Sequence, residues 1–237
     1  ELQLNREPVH FGHLLWLEFY RCALMDWRDI WPLFLDSMLQ MIPGLAMSVA
    51  SVGQELYQPP LPLQLAELCP LVIRQRCLDK AILGDVLIII TFFLVMVTGL
   101  TPTIFAVRTF GKFKAVFFRE KHAGLNVLSY FIGAITWDIV HIARNTFIFV
   151  SCYLFFGAPA GTFGEWFAIM FLLTYASYGL AYLVSSLVPF ERSTIISVVV
   201  AICFAVTSGL TPSLTVINKW GPMPFFWYIS FNRWAAE

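Results

Sequence analysis

Asp138, His141 and Arg144 stand three residues apart inside an otherwise apolar stretch, 128–156. At that interval a carboxylate, an imidazole and a guanidinium lie along one side of a helix. Charges at membrane depth are costly and often functional, so such a file could relay a proton or an ion. It could equally pair within itself, inside a bundle or at its cytoplasmic end, or reach a cytosolic partner. His10 and His13 could share a helix face as metal ligands, but no third ligand follows nearby, and no metal is expected. The sequence contains no GxSxG, HExxH or GxxxxGK[ST], and its four histidines are scattered. No catalytic site is therefore expected in this chain; an integral-membrane enzyme built on Asp138 and His141 is an alternative reading.

The elements that must hold these residues are membrane helices. Of 237 residues, 59% are apolar and only 13% charged, with a mean hydropathy of +0.74, where soluble chains carry about a quarter charged residues. Net charge is zero, so no nucleic-acid partner is indicated, and the signal lies in how charges are segregated. Val86–Val107 runs 22 residues without a charge, enough for one helix to cross a bilayer. The expected fold class is an all-α polytopic membrane protein with five spans, at about 30–51, 86–107, 128–156, 166–190 and 193–214. Ahead of them, residues 1–29 hold an amphipathic helix at Phe11–Trp27. It places leucines and aromatics on one side and Arg21, Asp26 and Arg28 nearer the other, which suits the membrane surface or a soluble neighbour. Asp36, near the start of the first span, is expected at the interface, with a buried functional acid as the alternative.

The connection Val52–Leu83 contains Pro59, Pro60, Pro62 and Pro70, so an irregular loop is expected, with a short helix after Pro70. Cys69 and Cys77 share that loop and could form a disulfide if it is extracytosolic; eight residues of separation leave this open. After Pro212 an aromatic segment interrupted by Pro222 and Pro224 reads as a re-entrant element or interfacial belt over 215–237. The basic segment Lys112–Asn126, KFKAVFFREKHAGLN, joins the second and third spans. With the amino-terminal flank and Arg192 it puts nine Lys/Arg on one side against five on the other, which places the amino terminus and this loop in the cytoplasm. Five spans then end outside. The chain is expected to be a piece of a longer polypeptide, with a sixth span beyond it.

Three stretches and a terminal motif carry a family likeness. FFREKHAGLNVLSYFIG, followed by WDIVHIARNTFIFVSCYLFF and SYGLAYLVSSLVP, resembles the membrane domain of the G subfamily of ABC transporters, the white/brown-type half-transporters. In detail it is similar to the plant-type branch, through Arg119, Glu120, Gly124, Leu128, Tyr130 and Phe131 in the first motif and Arg233, Trp234, Ala235 and Glu237 in the last. The resemblance implies an ABC-2 type, type V exporter domain that moves lipid-like or amphipathic molecules outward from the cytosol or inner leaflet. ATP and Mg would act on a nucleotide-binding domain of the same polypeptide, outside this chain, and a second half-transporter, identical or not, would complete the pore. The membrane would be the plasma membrane or an endomembrane. A membrane scaffold or lipid scramblase that has lost its motor is the alternative in another class.

The resemblance also implies sites. Arg119, Glu120 and Lys121 would couple the loop 108–126 to the nucleotide-binding domain, Glu120 pairing with a basic group across that interface. Substrate would lie between the second and fifth spans of both halves, at Val97, Thr98, Thr101, Val198, Ile202 and Ala205, beneath a plug at Leu210. Anchoring the fifth span on Ile202-Cys203-Phe204 instead makes Phe204 and Thr207 candidates. Each threonine could orient a ligand or bond its own helix backbone.

Overall fold

The computed structural model describes residues 10–51, 70, 74–111, 114–157, 162–207 and 224–236, with only the helical backbone over 74–89. Among the described residues every regular element is a helix: α1 Phe11–Arg28, α2 Ile30–Ser51, α3 Arg74–Gly111, α4 Lys114–His122, α5 Val127–Gly157, α6 Phe163–Leu187, α7 Phe190–Val206, α8 Pro224–Ile229 and α9 Phe231–Ala236. Among the described residues four helices are long and apolar enough to cross a membrane, those of the first four expected spans, and α7 runs 17 residues as described. This is a multi-pass integral membrane protein.

Local chemistry sets the ends. Thr162 and Glu165 form a capping box at the start of α6, which moves that span's start from residue 166 to 163. The helix stops at Leu187, two residues before Pro189, because the residue preceding a proline is driven out of the helical region. Asn126 accepts the Leu128 N–H at 3.0 Å and opens α5. Gly124, at φ +97, closes α4, where its N–H reaches the Lys121 carbonyl and that of Leu125 reaches Glu120. A side chain there would be strained.

The second span departs from expectation. Its helix begins at Arg74, inside the expected loop, and runs unbroken to Gly111. The arginines, lysine and leucines after Pro70 are good helix formers, and the apolar run behind them supplies the length that makes a helix cooperative. Cys69 and the side chain of Cys77 lie outside the described residues, as do Ser208–Gly209 and Leu210.

The core is three helices thick. Leu94 and Val95 of α3 meet Phe149, Val150 and Tyr153 of α5 and Met170 and Leu173 of α6. One layer nearer the basic end, Phe105–Val107 pack with Ile142, Tyr178 and Ala181. Around this, α2 and α1 lie on α5, and α7 lies on α3. Within lipid, burial of apolar side chains offers little drive for helices to associate, so close backbone approach must supply it. Gly44 and Ser48 of α2 meet α5 in that way: a Cβ on Gly44 would sit 3.1 Å from both the Cys152 Cβ and the Phe149 carbonyl oxygen. Ser48, fully buried, accepts the Phe156 N–H at 3.1 Å.

Candidate functional site

At the basic end, α1 lies across the first half of α5 with its polar side turned inward. Trp16, Tyr20 and Trp27 are exposed, whereas Glu18 is buried and Arg21, Cys22 and Asp26 are half-buried against the bundle. The helix is amphipathic as expected, but its polar side meets protein and its aromatic side is free for the membrane interface. The close approach depends on Gly133, whose added Cβ would come 2.8 Å from the Glu18 Cβ.

Three bridges tie α1, α2 and α4 to the bundle. Arg21 donates two hydrogen bonds to Glu120 of α4, at 2.8 Å and 2.9 Å, in the fork geometry that guanidinium and carboxylate favour. Glu18 stands 3.7 Å behind the same arginine. His141 Nε2 lies 2.7 Å from Asp26 of α1, and Trp137 donates to the same carboxylate at 2.5 Å. Arg108 of α3 pairs with Asp36 of α2, joining the exit of the second span to the entrance of the first. These groups, Glu120 apart, line a cavity of about 170 Å³ between α1, α2, α3 and α5.

The file Asp138, His141, Arg144 therefore does not pair within itself. Asp138 accepts a hydrogen bond from Tyr182 of α6, His141 turns to Asp26 of α1, and Arg144 donates to the neighbouring Asn145 at 3.0 Å. Three residues turn a helix through about 300°, so successive members point to different neighbours, which offer closer partners than the file itself. Asp138 is only 6% exposed. His10, considered as a metal ligand, accepts the Gly12 N–H and caps α1. Arg119 and Lys121 are exposed on α4 beside Glu120.

Burial pushes Glu18 above its ordinary value, against the opposing pull of Arg21. Burial also pushes the Cys22 thiol up to about 12, with Glu18 adding to the effect, so this cysteine stays uncharged. For Asp26 burial acts upward too, but the hydrogen bonds from His141 and Trp137, helped by Arg144, hold the carboxyl below its ordinary value of 3.8. A depressed carboxylate contributes stability that is present above its unfolded value and lost as pH falls through the folded one. Glu18, raised, has the opposite sign: its contribution is present below 4.5 and lost as pH rises through its folded value. Acidifying past 3.8 should thus release the Asp26 end of α1 while sparing the Glu18 end. Amide protection over residues 22–28, taken relative to the unstructured exchange rate at each pH, should fall with acid in the native sequence and be low and flat in Asp26→Asn; an unchanged acid response in that variant would exclude Asp26 as its source.

The α3–α7 residues divide. Thr98 is buried and donates to its own helix at the Leu94 carbonyl, 2.6 Å away. Thr101 donates to the Val97 carbonyl and accepts from Gln40 of α2, each at 3.0 Å. Both threonines thus bond their own backbone. Val97 packs beside the core and Ala205 is buried, whereas Val198 is half-buried and Ile202 is exposed. Phe204 stacks on Phe231 of α9 at 5.2 Å, and Thr207 donates to the Cys203 carbonyl. Along α7 Ile195, Val199, Ile202 and Val206 are exposed, alternating four and three apart, with Ile196 and Cys203 exposed beside them, the spacing of one helix face. Sequence reasoning missed Arg21 and Asp26 as partners of Glu120 and His141, since their respective separations of 99 and 115 residues leave no local signal.

The model of the ABC-2 type transporter family matches residues 75–237. The chain belongs to that family. Among characterised proteins it is 30% identical over 131 residues to the ABC-type transporter claG of Penicillium crustosum, a stretch covering 55% of this chain and 18% of that protein. In Arabidopsis thaliana it is 23% identical over 143 residues to putative white-brown complex homolog protein 30 and 24% identical over 143 residues to ABC transporter G family member 28. Those alignments cover 60% of this chain and only 13% and 12% of the two plant proteins. The chain thus spans less than a fifth of each of these relatives, and the G-type, white/brown character read from its motifs agrees with them.

Proposed function

We propose that this ABC-2 transporter chain is the membrane half of an ATP-driven exporter for lipid-like or amphipathic molecules. ATP and Mg act on a nucleotide-binding domain elsewhere in the polypeptide, and a second half-transporter completes the pathway. The observation that carries this reading is the bidentate Arg21–Glu120 bridge, because it makes α4 and α1 one rigid body at the basic end. A rigid charged helix held to the bundle passes a neighbouring domain's movement to the spans, where a loose loop would absorb it. Arg119 and Lys121, exposed on α4, are then available to that domain. Full-length protein in proteoliposomes should move fluorescent phospholipid or sterol analogues only with ATP; movement independent of ATP would favour a scramblase.

The face Ile195–Val206 of α7 is the part of the α3–α7 pair left open for a partner half and for cargo. Thr98 and Thr101, turned to their own backbones, shape that pathway from behind, and Ile202 meets the cargo. Ile202→Trp should therefore change relative transport among amphipathic substrates more than Thr98→Val does, with surface expression held. Equal substrate profiles for Ile202→Trp and the native sequence would place the pathway elsewhere.

A further inference from the structure

A second cavity, of about 590 Å³, opens between the end of α3, α4, the start of α5 and the end of α6. That volume falls within the roughly 300–1,000 Å³ of small-molecule sites. Its wall is aromatic: Phe110 stacks on Phe131 at 5.1 Å and meets the Tyr182 ring edge-on at 5.0 Å, while Phe117 lies 4.9 Å from Tyr130. Gly179 lines it from α6, and a Cβ added there would meet nothing within 4 Å. The groove therefore exists partly because that position lacks a side chain.

The mouth identifies the occupant. Phe118, Phe131 and Leu183 line the groove and are 48%, 45% and 60% exposed. Since α5 and α6 cross the membrane, a mouth at their basic ends opens sideways where acyl chains meet headgroups. Lys114 is the one charged residue lining the groove, and it has no carboxylate partner among the described residues. Its stem can lie on the rings while its ammonium stays in the headgroup layer. Arg119 and Lys121, on the same short helix, deepen the positive field there. Apolar walls below and the Lys114 ammonium above match the two ends of a negatively charged lipid.

We propose that this groove holds one anionic phospholipid, its acyl chains against Phe110, Phe131 and Tyr182 and its phosphate on Lys114. The lipid is a resident of the leaflet, seated away from the α3–α7 pathway, so failure of one assignment leaves the other standing. It would fill the gap between α4 and the spans, and so stiffen the segment that Arg21 also grips.

Full-length protein in nanodiscs of equimolar phosphatidylcholine and phosphatidylserine, released into detergent and weighed by native mass spectrometry, tests this. The native sequence should retain phosphatidylserine over phosphatidylcholine by about fivefold, the factor expected of one basic residue at an anionic surface. Lys114→Gln should abolish that preference. Gly179→Leu should expel the lipid while leaving the protein folded, because the leucine meets no protein atom and enters the space the acyl chains would fill. A photoreactive group in place of Phe118 should capture phosphatidylserine. Equal retention of the two lipids by the native sequence, an undiminished preference in both variants, or capture of a second protein copy at position 118 would each overturn the site.

Discussion

Exchanging the two ends of the α1–α4 bridge, Arg21→Glu together with Glu120→Arg, is expected to restore transport that either change alone abolishes. Glu120→Ala should leave the protein inserted and hydrolysing ATP, yet lower the amount moved per ATP at least about fivefold, the low end of measured coupling free energies. The bridge is about a third exposed at each side chain, so its direct worth to stability is small, nearer an exposed pair than a buried one. Its expected worth is mechanical, because both hydrogen bonds of the fork must shear before α4 can tilt without α1. The single change Arg21→Glu should be the more severe, as it sets a third carboxylate beside Glu18 and Glu120. In the exchanged pair, Glu18 would instead assist. Measured as transported substrate per phosphate released, native-like efficiency in Glu120→Ala would end the coupling role. Failure of the exchange, with α1 still docked, would move Glu120's decisive partner to the motor domain.

That bridge also shows where sequence reading stops. The basic segment, the acid within it and its place between two spans are all legible, because apolar runs and charge segregation are local, periodic signals. The first span is legible to the residue, Ile30–Ser51, since α1 ends in charged residues and the apolar run resumes at once. The partner of Glu120 is not legible. It lies 99 residues away on a helix whose amphipathic pattern fits lipid and protein equally well. The same limit applies to Asp138, His141 and Arg144: spacing puts them on one helix, but only the approach of α1 and α6 decides which helix each one faces. The thirty-eight-residue α3 was misjudged for a different reason. Four prolines before residue 71 suppress a helix only where they stand, and the polar turns after them continue into a span that pulls them into order.

The bundle's tolerance for bulk should follow the glycines in a way composition cannot foretell. Gly44→Leu is expected to remove most well-folded protein, because the atoms beyond its Cβ ask more than a few tenths of an ångström from a close seam: the Phe149 backbone carbonyl and the Cys152 Cβ already stand 3.1 Å from the first added atom. Overpacking a close-fitted site costs about 1–3 kcal/mol and occasionally more. Here the strain would extend along α2, since parting it from α5 also pulls Ser48 from the Phe156 N–H. Gly44→Ala should be mild, asking only a few tenths of an ångström from its neighbours. Gly179→Leu, the same change of bulk in another spanning helix, meets open space and should melt no lower than the native sequence, gaining helix propensity as it does so. The contrast separates a packing contact from a general dislike of larger residues in membrane helices. Size-exclusion profiles and melting temperatures of the three variants in one detergent would read it directly, and a native-like melt for Gly44→Leu would mean that α2 is not seated on α5 as described.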